Sequence, residues 1–147
     1  MITMDSRDLM FISQVFIGDI EGYYSYKNGN YLVGFFNKYF DYKDVYKSGF
    51  PSRRIYVADK LSELFFFGEF DKFLNICLSK RFIISDLTNI NETEALNKQK
   101  KILEAFNKNL LSKGYQIYQL KGEFFLKNID ENLEQIGDGG FADVFYN

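Results

Sequence analysis

The chain has 147 residues, 46% of them apolar and 26% charged, which suits a domain-sized core and excludes a disordered tail or a fibrous repeat. Its 18 basic and 20 acidic residues leave a net charge of −2, so it lacks the basic surplus of proteins that depend on non-specific phosphate binding. Histidine is absent and there is one cysteine, which removes Ser-His and Cys-His dyads, histidine metal sites, cysteine zinc sites and internal disulfides together.

No apolar run approaches the ~20 residues that span a bilayer. The start, Met1 to Met10, carries Asp5, Arg7 and Asp8 ahead of a short apolar stretch, unlike a signal peptide. The expected compartment is the cytoplasm, with no membrane partner. Asn91-Glu92-Thr93 matches a glycosylation acceptor, but without an export signal it reads as a chance match. Seventeen Phe and eleven Tyr, with no Trp, read as core filler in a protein from an AT-rich bacterial genome. A base-stacking platform would need those aromatics interleaved with net positive charge.

In chain order, Leu9, Ile12, Phe16 and Ile20 predict a helix within Asp8 to Ile20. Asn28-Gly29 between aromatic runs is a local hairpin signal. The longer stripe of Leu32, Phe35, Phe36, Tyr39 and Phe40 opposes it and predicts a helix from about Tyr31 to Phe40, capped by Asn30. Asp41 to Pro51 reads as a connecting loop. Ser52 then caps a helix through Ile55, Ala58, Leu61, Leu64 and Phe65, which Gly68 ends. Asp71 to Leu78 forms a short helix before the apolar Phe82-Ile83-Ile84. Asn91 or Thr93 opens the longest helix, with Leu96, Ile102, Leu103, Phe106, Leu110 and Leu111 on its buried stripe and Gly114 past its end. Tyr115 to Leu120, Lys121-Gly122 and Glu123 to Leu126 read as a two-stranded hairpin, giving the element order of a winged-helix-like domain.

Phe35-Phe36-Asn37, Asp44-Val45-Tyr46, Gly49-Phe50-Pro51-Ser52-Arg53 and Gly114-Tyr115-Gln116-Ile117 form a spaced series. Across Asn30 to Leu126 that series resembles the N-terminal domain of AbiJ-type abortive-infection proteins, bacterial anti-phage factors in which such a domain precedes a varying effector. The resemblance implies an accessory, regulatory role. On physical grounds, Gly49 permits an unusual backbone angle, Pro51 pins the loop and Ser52 caps the helix that carries Arg53 and Arg54.

The motif with chemistry lies at 133–146. Ile136, Gly137, Asp138, Gly139, Gly140, Phe141, Ala142 and Val144 resemble the Gly-rich loop of a protein kinase, G-x-G-x-x-G-x-V, with Ala142 at the third glycine. Glycines let the backbone N–H groups cover ATP phosphates, Ile136 and Val144 would roof the adenine, and Phe141 would cap the loop tip. A dinucleotide-binding turn would need a following helix, but Val144-Phe145-Tyr146 is β-like. A Walker loop would need Gly-Lys-Ser or Gly-Lys-Thr. The plain alternative is a glycine-rich turn with no ligand. The kinase lysine and the HRD and DFG aspartates are missing, so the resemblance implies a longer parent whose completed domain binds ATP with Mg²⁺.

Elsewhere, Lys98, Lys100, Lys101, Lys108 and Lys113 on the long helix could face nucleic acid, but with net acidity they read as a solvated face, helped by a Glu94–Lys98 pair. Arg53 and Arg54 could bind an anion, and the expected alternative is pairing with Asp41, Asp44 or Asp59. Cys77 reads as buried core, and Asp71 and Glu69 as surface charges. The expected architecture is α+β: a mainly helical accessory domain over 1–128 with a winged-helix-like C-terminal β-hairpin, then a linker and the first two strands of a kinase N-lobe over 129–147. The expected function is the N-terminal regulatory segment of a bacterial Ser/Thr protein-kinase-like protein. Alternatives are a stand-alone winged-helix-like nucleic-acid module and a protein-interaction module.

Overall fold

The computed structural model describes residues 4–129. Those residues form six helices and one antiparallel hairpin, a mixed helix and sheet architecture. The chain divides into two compact units, Met1–Phe67 and Gly68–Asn147.

The first unit holds α1 (Met10–Phe16), α2 (Gly29–Phe40) and α3 (Arg53–Phe66), with α1 and α2 both packed on α3. Leu9, Ile12, Val15, Phe16, Leu32, Phe36, Val57, Ala58 and Leu61 are fully buried. Phe16, Tyr24, Phe35, Phe36 and Tyr56 serve as core filler here, while Tyr26, Phe66 and Phe67 are exposed. The Phe16 ring centre lies 5.6 Å from that of Tyr24 and 5.1 Å from that of Phe35, and Phe36 meets Tyr56 edge-on at 6.0 Å. Such tilted contacts are the geometry that aromatic quadrupoles favour.

Helix α2 starts earlier than the sequence pattern indicates. Asn28, not Asn30, is the N-cap, its side chain accepting the Tyr31 N–H at 2.8 Å. The Asn28-Gly29 pair therefore starts a helix and makes no hairpin. Gly29 is required for a steric reason, because a Cβ there would lie 2.2 Å from Cε1 of Tyr46. Ser52 occupies the N-cap position of α3 but makes no side-chain capping bond.

The second unit contains α4 (Phe70–Cys77), α5 (Lys80–Leu87), α6 (Glu92–Leu111), β1 (Tyr115–Leu120) and β2 (Glu123–Asn128). Helix α5 contains Phe82-Ile83-Ile84, with Ile83 fully buried, and Ser79 caps it by accepting the Phe82 N–H at 3.1 Å. Asn91 and Glu94 form a reciprocal capping box on α6. The buried stripe of α6 runs through Ala95, Gln99, Ile102, Phe106 and Leu110, so Leu96 and Leu111 face out, at 40% and 60% exposure. Gln99 is what shifts the stripe. Its side-chain amide is buried and donates to the Leu78 carbonyl at the end of α4, at 2.7 Å.

Lys121 (φ 53°) and Gly122 (φ 83°) both take left-handed angles, the two-residue turn that matches strand twist. Leu120 pairs with Glu123 beside that turn, so alternate residues, Ile117 on β1 and Phe124 and Leu126 on β2, direct their backbone groups away from the partner strand. Those outward groups are covered from the helices. Asn107 of α6 donates to the Ile117 carbonyl at 3.1 Å and accepts its N–H at 2.7 Å. Asn75 of α4 does the same to Phe124, at 2.7 and 2.8 Å. Asp71, read from sequence as a surface charge, accepts the Leu126 N–H at 2.8 Å.

This arrangement predicts that Asn75→Asp and Asn107→Asp each destabilise the protein by ~1–3 kcal/mol, because aspartate keeps the acceptor and sets a second oxygen against a carbonyl. Urea unfolding at pH 7 measures it, and unchanged midpoints in both variants would show that the bracketing is incidental.

Candidate functional site

In the first unit the segment between α2 and α3 is a shaped surface. It opens a groove of about 400 Å³ lined by Lys43, Asp44, Val45, Lys47, Phe50, Pro51, Tyr56 and Lys60. Three restraints hold it. The Asn37 side chain of α2 brackets the backbone of Asp44, accepting its N–H at 3.0 Å and donating to its carbonyl at 2.9 Å. The Tyr46 ring sits over Gly29, and the Phe50 ring packs at 4.8 Å on Tyr46 and 4.7 Å on Tyr56. The Lys47 carbonyl accepts the Phe50 N–H at 3.0 Å, closing a turn that contains Gly49 (φ 86°).

Asp44 is the polar centre of the groove. Its Oδ2 accepts the Tyr56 hydroxyl at 2.7 Å and the Lys60 ammonium at 2.8 Å. Lys60 also lies 3.8 Å from the centre of the Tyr42 ring and 5.3 Å from that of Tyr56, within reach of cation–π attraction. The Tyr42 hydroxyl in turn donates to Glu63 at 2.7 Å. Partial burial opposes the charge on Asp44. The hydrogen bonds from Lys60 and Tyr56, with the Lys60 charge, outweigh it and hold the carboxyl below its ordinary value. Tyr56 moves the other way: burial first, then its bond to Asp44 and the nearby negative charges, push the phenol well above its ordinary value. An ionised carboxylate that already accepts from a phenol and an ammonium, beside a phenol that stays protonated, makes a poor proton-transfer pair. The arrangement suits binding.

Arg53 is not an open anion site, and its partner is none of Asp41, Asp44 and Asp59. Its guanidinium pairs with Asp19, donates to the Lys27 carbonyl at 2.9 Å and stacks 4.3 Å from the Tyr26 ring. It ties the start of α3 to the chain before α2. Asp44 is taken by Lys60, and Asp59 accepts the Ser6 hydroxyl. Beside Arg53, the almost fully buried Lys27 donates to the Ser25 carbonyl at 3.1 Å and lies 5.0 Å from the ring centres of Phe16 and Tyr24.

In the second unit Lys100, Lys101 and Lys108 are exposed on α6. Partial burial, then the like charge of Lys101, lowers the pKa of half-buried Lys98. Glu94, expected to pair with Lys98, accepts the Asn91 N–H at 3.1 Å in the capping box. Cys77 is fully buried, as its apolar stripe indicates. The glycine-rich residues Ile136, Gly137, Asp138, Gly139, Gly140, Phe141, Ala142 and Val144 lie outside the described residues. Among the described residues no three of Cys, Asp and Glu converge as a metal site, and no helix is long and apolar enough to cross a membrane.

Of the four elements of the spaced series, Asn37, Asp44-Val45-Tyr46 and Phe50-Pro51 meet at this groove. Sequence reasoning passed over Lys43, Lys47 and Lys60. The available signal was the Lys-Asp-Val-Tyr-Lys spacing around Asp44 inside a segment with only one proline and one glycine. Compared with protein-family models, curated proteins and solved structures, the chain matches none of them.

The shifts at Asp44 and Tyr56 predict a pH profile. Asp44 has its pKa lowered on folding, so its contribution is present above the unfolded carboxylate pKa of about 4 and is lost as pH falls. Tyr56 has its pKa raised, so its contribution is present below the ordinary value of 10.0 and is lost as pH rises above it. Tyr56→Phe should lower stability at pH 7 by about 1 kcal/mol and flatten both limbs, read as urea midpoints at pH 3, 5, 7 and 10.5. Parallel wild-type and variant profiles would mean that the pair does not couple folding to protons.

Proposed function

We propose that the chain is the N-terminal regulatory segment of a bacterial Ser/Thr protein-kinase-like protein, and that the groove at 43–60 receives its signal. One observation carries the reading. Three of the four elements singled out by the resemblance to AbiJ-type N-terminal domains, all within 35–53, assemble with Tyr56 and Lys60 around one groove whose charged groups are held in place and poorly suited to proton transfer. The resemblance suggests phage defence as the setting. Residues 136–144 would supply phosphate cover for ATP, and the kinase lysine, the catalytic aspartate and the Mg²⁺-holding aspartate would come from sequence beyond 147.

The test is the reading frame after residue 147, followed by ATP titration of the extended protein. The expected frame contains a strand lysine, an HRD-like segment and a DFG-like segment. The extended protein should bind ATP, and Gly139→Val should weaken that binding by steric exclusion of the phosphates. A frame without those segments would overturn the kinase-like part of the proposal.

A second reading rests on the order α4–α5–α6 followed by a hairpin whose β1 packs on α6 and β2 on α4, an order compatible with a winged-helix-like module. With the overall net charge of −2, binding of duplex DNA through the α6 lysines should be weak and salt-sensitive, with Kd of ~10⁻⁴–10⁻⁶ M at physiological salt. A tight, salt-resistant complex in retention assays would make nucleic-acid binding the leading function.

A further inference from the structure

The groove has a definite chemical character. Three lysines and one aspartate line it, a net of two positive charges in a chain whose total is −2. Lys60 and Asp44 are bonded to each other, which leaves Lys43 and Lys47, both exposed, as the cations facing solvent at its rim. Val45, Phe50 and Pro51 supply an apolar flank. Phe50 is held by its ring contacts to Tyr46 and Tyr56. The depression is wide-mouthed, with Val45, Pro51 and both rim lysines exposed, so a ligand lying in it keeps one side in water. A cationic rim beside an aromatic wall, in about 400 Å³, matches a ligand with one flat ring and one anionic end.

We infer that the groove binds a phosphorylated small molecule of mononucleotide size, its ring against Phe50 and Pro51 and its phosphate between Lys43 and Lys47. An inorganic anion would leave the Val45–Phe50–Pro51 flank wet, and an uncharged nucleoside would leave the lysines unpaired. A duplex would reach only the rim. Phosphate held by two ammonium groups should bind more weakly as salt rises. The inference rests on reading the groove as the receiving site, and it is independent of whether residues 136–144 begin a kinase.

Calorimetric titration of the full chain with adenosine monophosphate, adenosine, ribose 5-phosphate and inorganic phosphate tests it. Adenosine monophosphate should bind at least tenfold more tightly than each of the other three, and raised salt should weaken it. The double variant Lys43→Ala/Lys47→Ala should lose at least tenfold in affinity with thermal unfolding unchanged, since both side chains are exposed. Lys43→Glu/Lys47→Glu should lose more. Gly139→Val should leave binding unchanged, which separates the groove from the glycine-rich loop. Equal affinity for adenosine or for phosphate would overturn the inference, as would lysine variants that bind like wild type or the absence of binding at millimolar concentration. A frame lacking kinase segments would leave this result standing, so the two proposals fail separately.

Discussion

An asparagine side chain carries one amide donor and one carbonyl acceptor, the same pair that a backbone peptide offers. Three helices here use that likeness. Asn37 brackets Asp44, Asn75 brackets Phe124 and Asn107 brackets Ile117, each through both of its polar atoms. Each bracket satisfies backbone groups beneath a packed helix or loop, where burying them without a partner would cost roughly 1–3 kcal/mol apiece. An isolated hairpin is marginal in water, and its edges invite pairing with other chains. In the second unit, Asn75, Asn107 and Asp71 turn those edges into attachment points for α4 and α6. In the first unit the same device gives the 41–52 segment a fixed shape, and the groove follows from that shape.

Around these brackets the buried polar residues Ser13, Lys27 and Gln99 each have a partner, while the buried side-chain oxygen of Asn109 has none among the described residues. Gln99 closes on the Leu78 carbonyl, and Ser13 donates to the Arg54 carbonyl at 2.6 Å. Arg53 reaches backbone carbonyls and a carboxylate at once, as a planar guanidinium can. Lys27 spreads its charge across aromatic faces, which partly replaces lost hydration. The aromatic composition thus serves two ends, filling the core and accommodating cations. At the groove two exposed lysines line the same depression as the held Phe50 ring, and the proposed binding role rests on that juxtaposition.

Much of the fold was legible because it depends on local chemistry. The N-cap positions Asn91 and Ser52, the Lys121-Gly122 turn and the apolar stripes of α2 and α3 mark their elements within a few residues. Helix α5 was not legible, since eight residues with a contiguous Phe-Ile-Ile carry no clear period, although Ser79 stands where a cap belongs. The α6 stripe was misplaced at its ends because Gln99 counts as polar in any pattern, and its buried amide is satisfied by the Leu78 carbonyl at the end of α4, which accepts from it. The cap of α2 was misassigned because Asn28 and Asn30 are alike locally, and only the bond from the Tyr31 N–H to the Asn28 side chain tells them apart. At the site, Gly49-Phe50-Pro51 pointed to the right neighbourhood. The lysines were illegible there because loop lysines resemble any surface lysines until Asp44, Tyr56 and Phe50 arrange themselves around them.

Side-chain amides standing in for peptides hold both the hairpin and the groove segment, and amide hydrogen exchange of the full chain at individual residues reads this without any substitution. The N–H groups of Asp44, Ile117 and Phe124 should exchange slowly, with Asp44 protected at least tenfold over Val45 in the same segment, although both lie outside helices and strands. If Asp44 exchanges as fast as Val45, and Ile117 and Phe124 as fast as free strand edges, the brackets do not hold in solution, and the groove they shape loses its foundation.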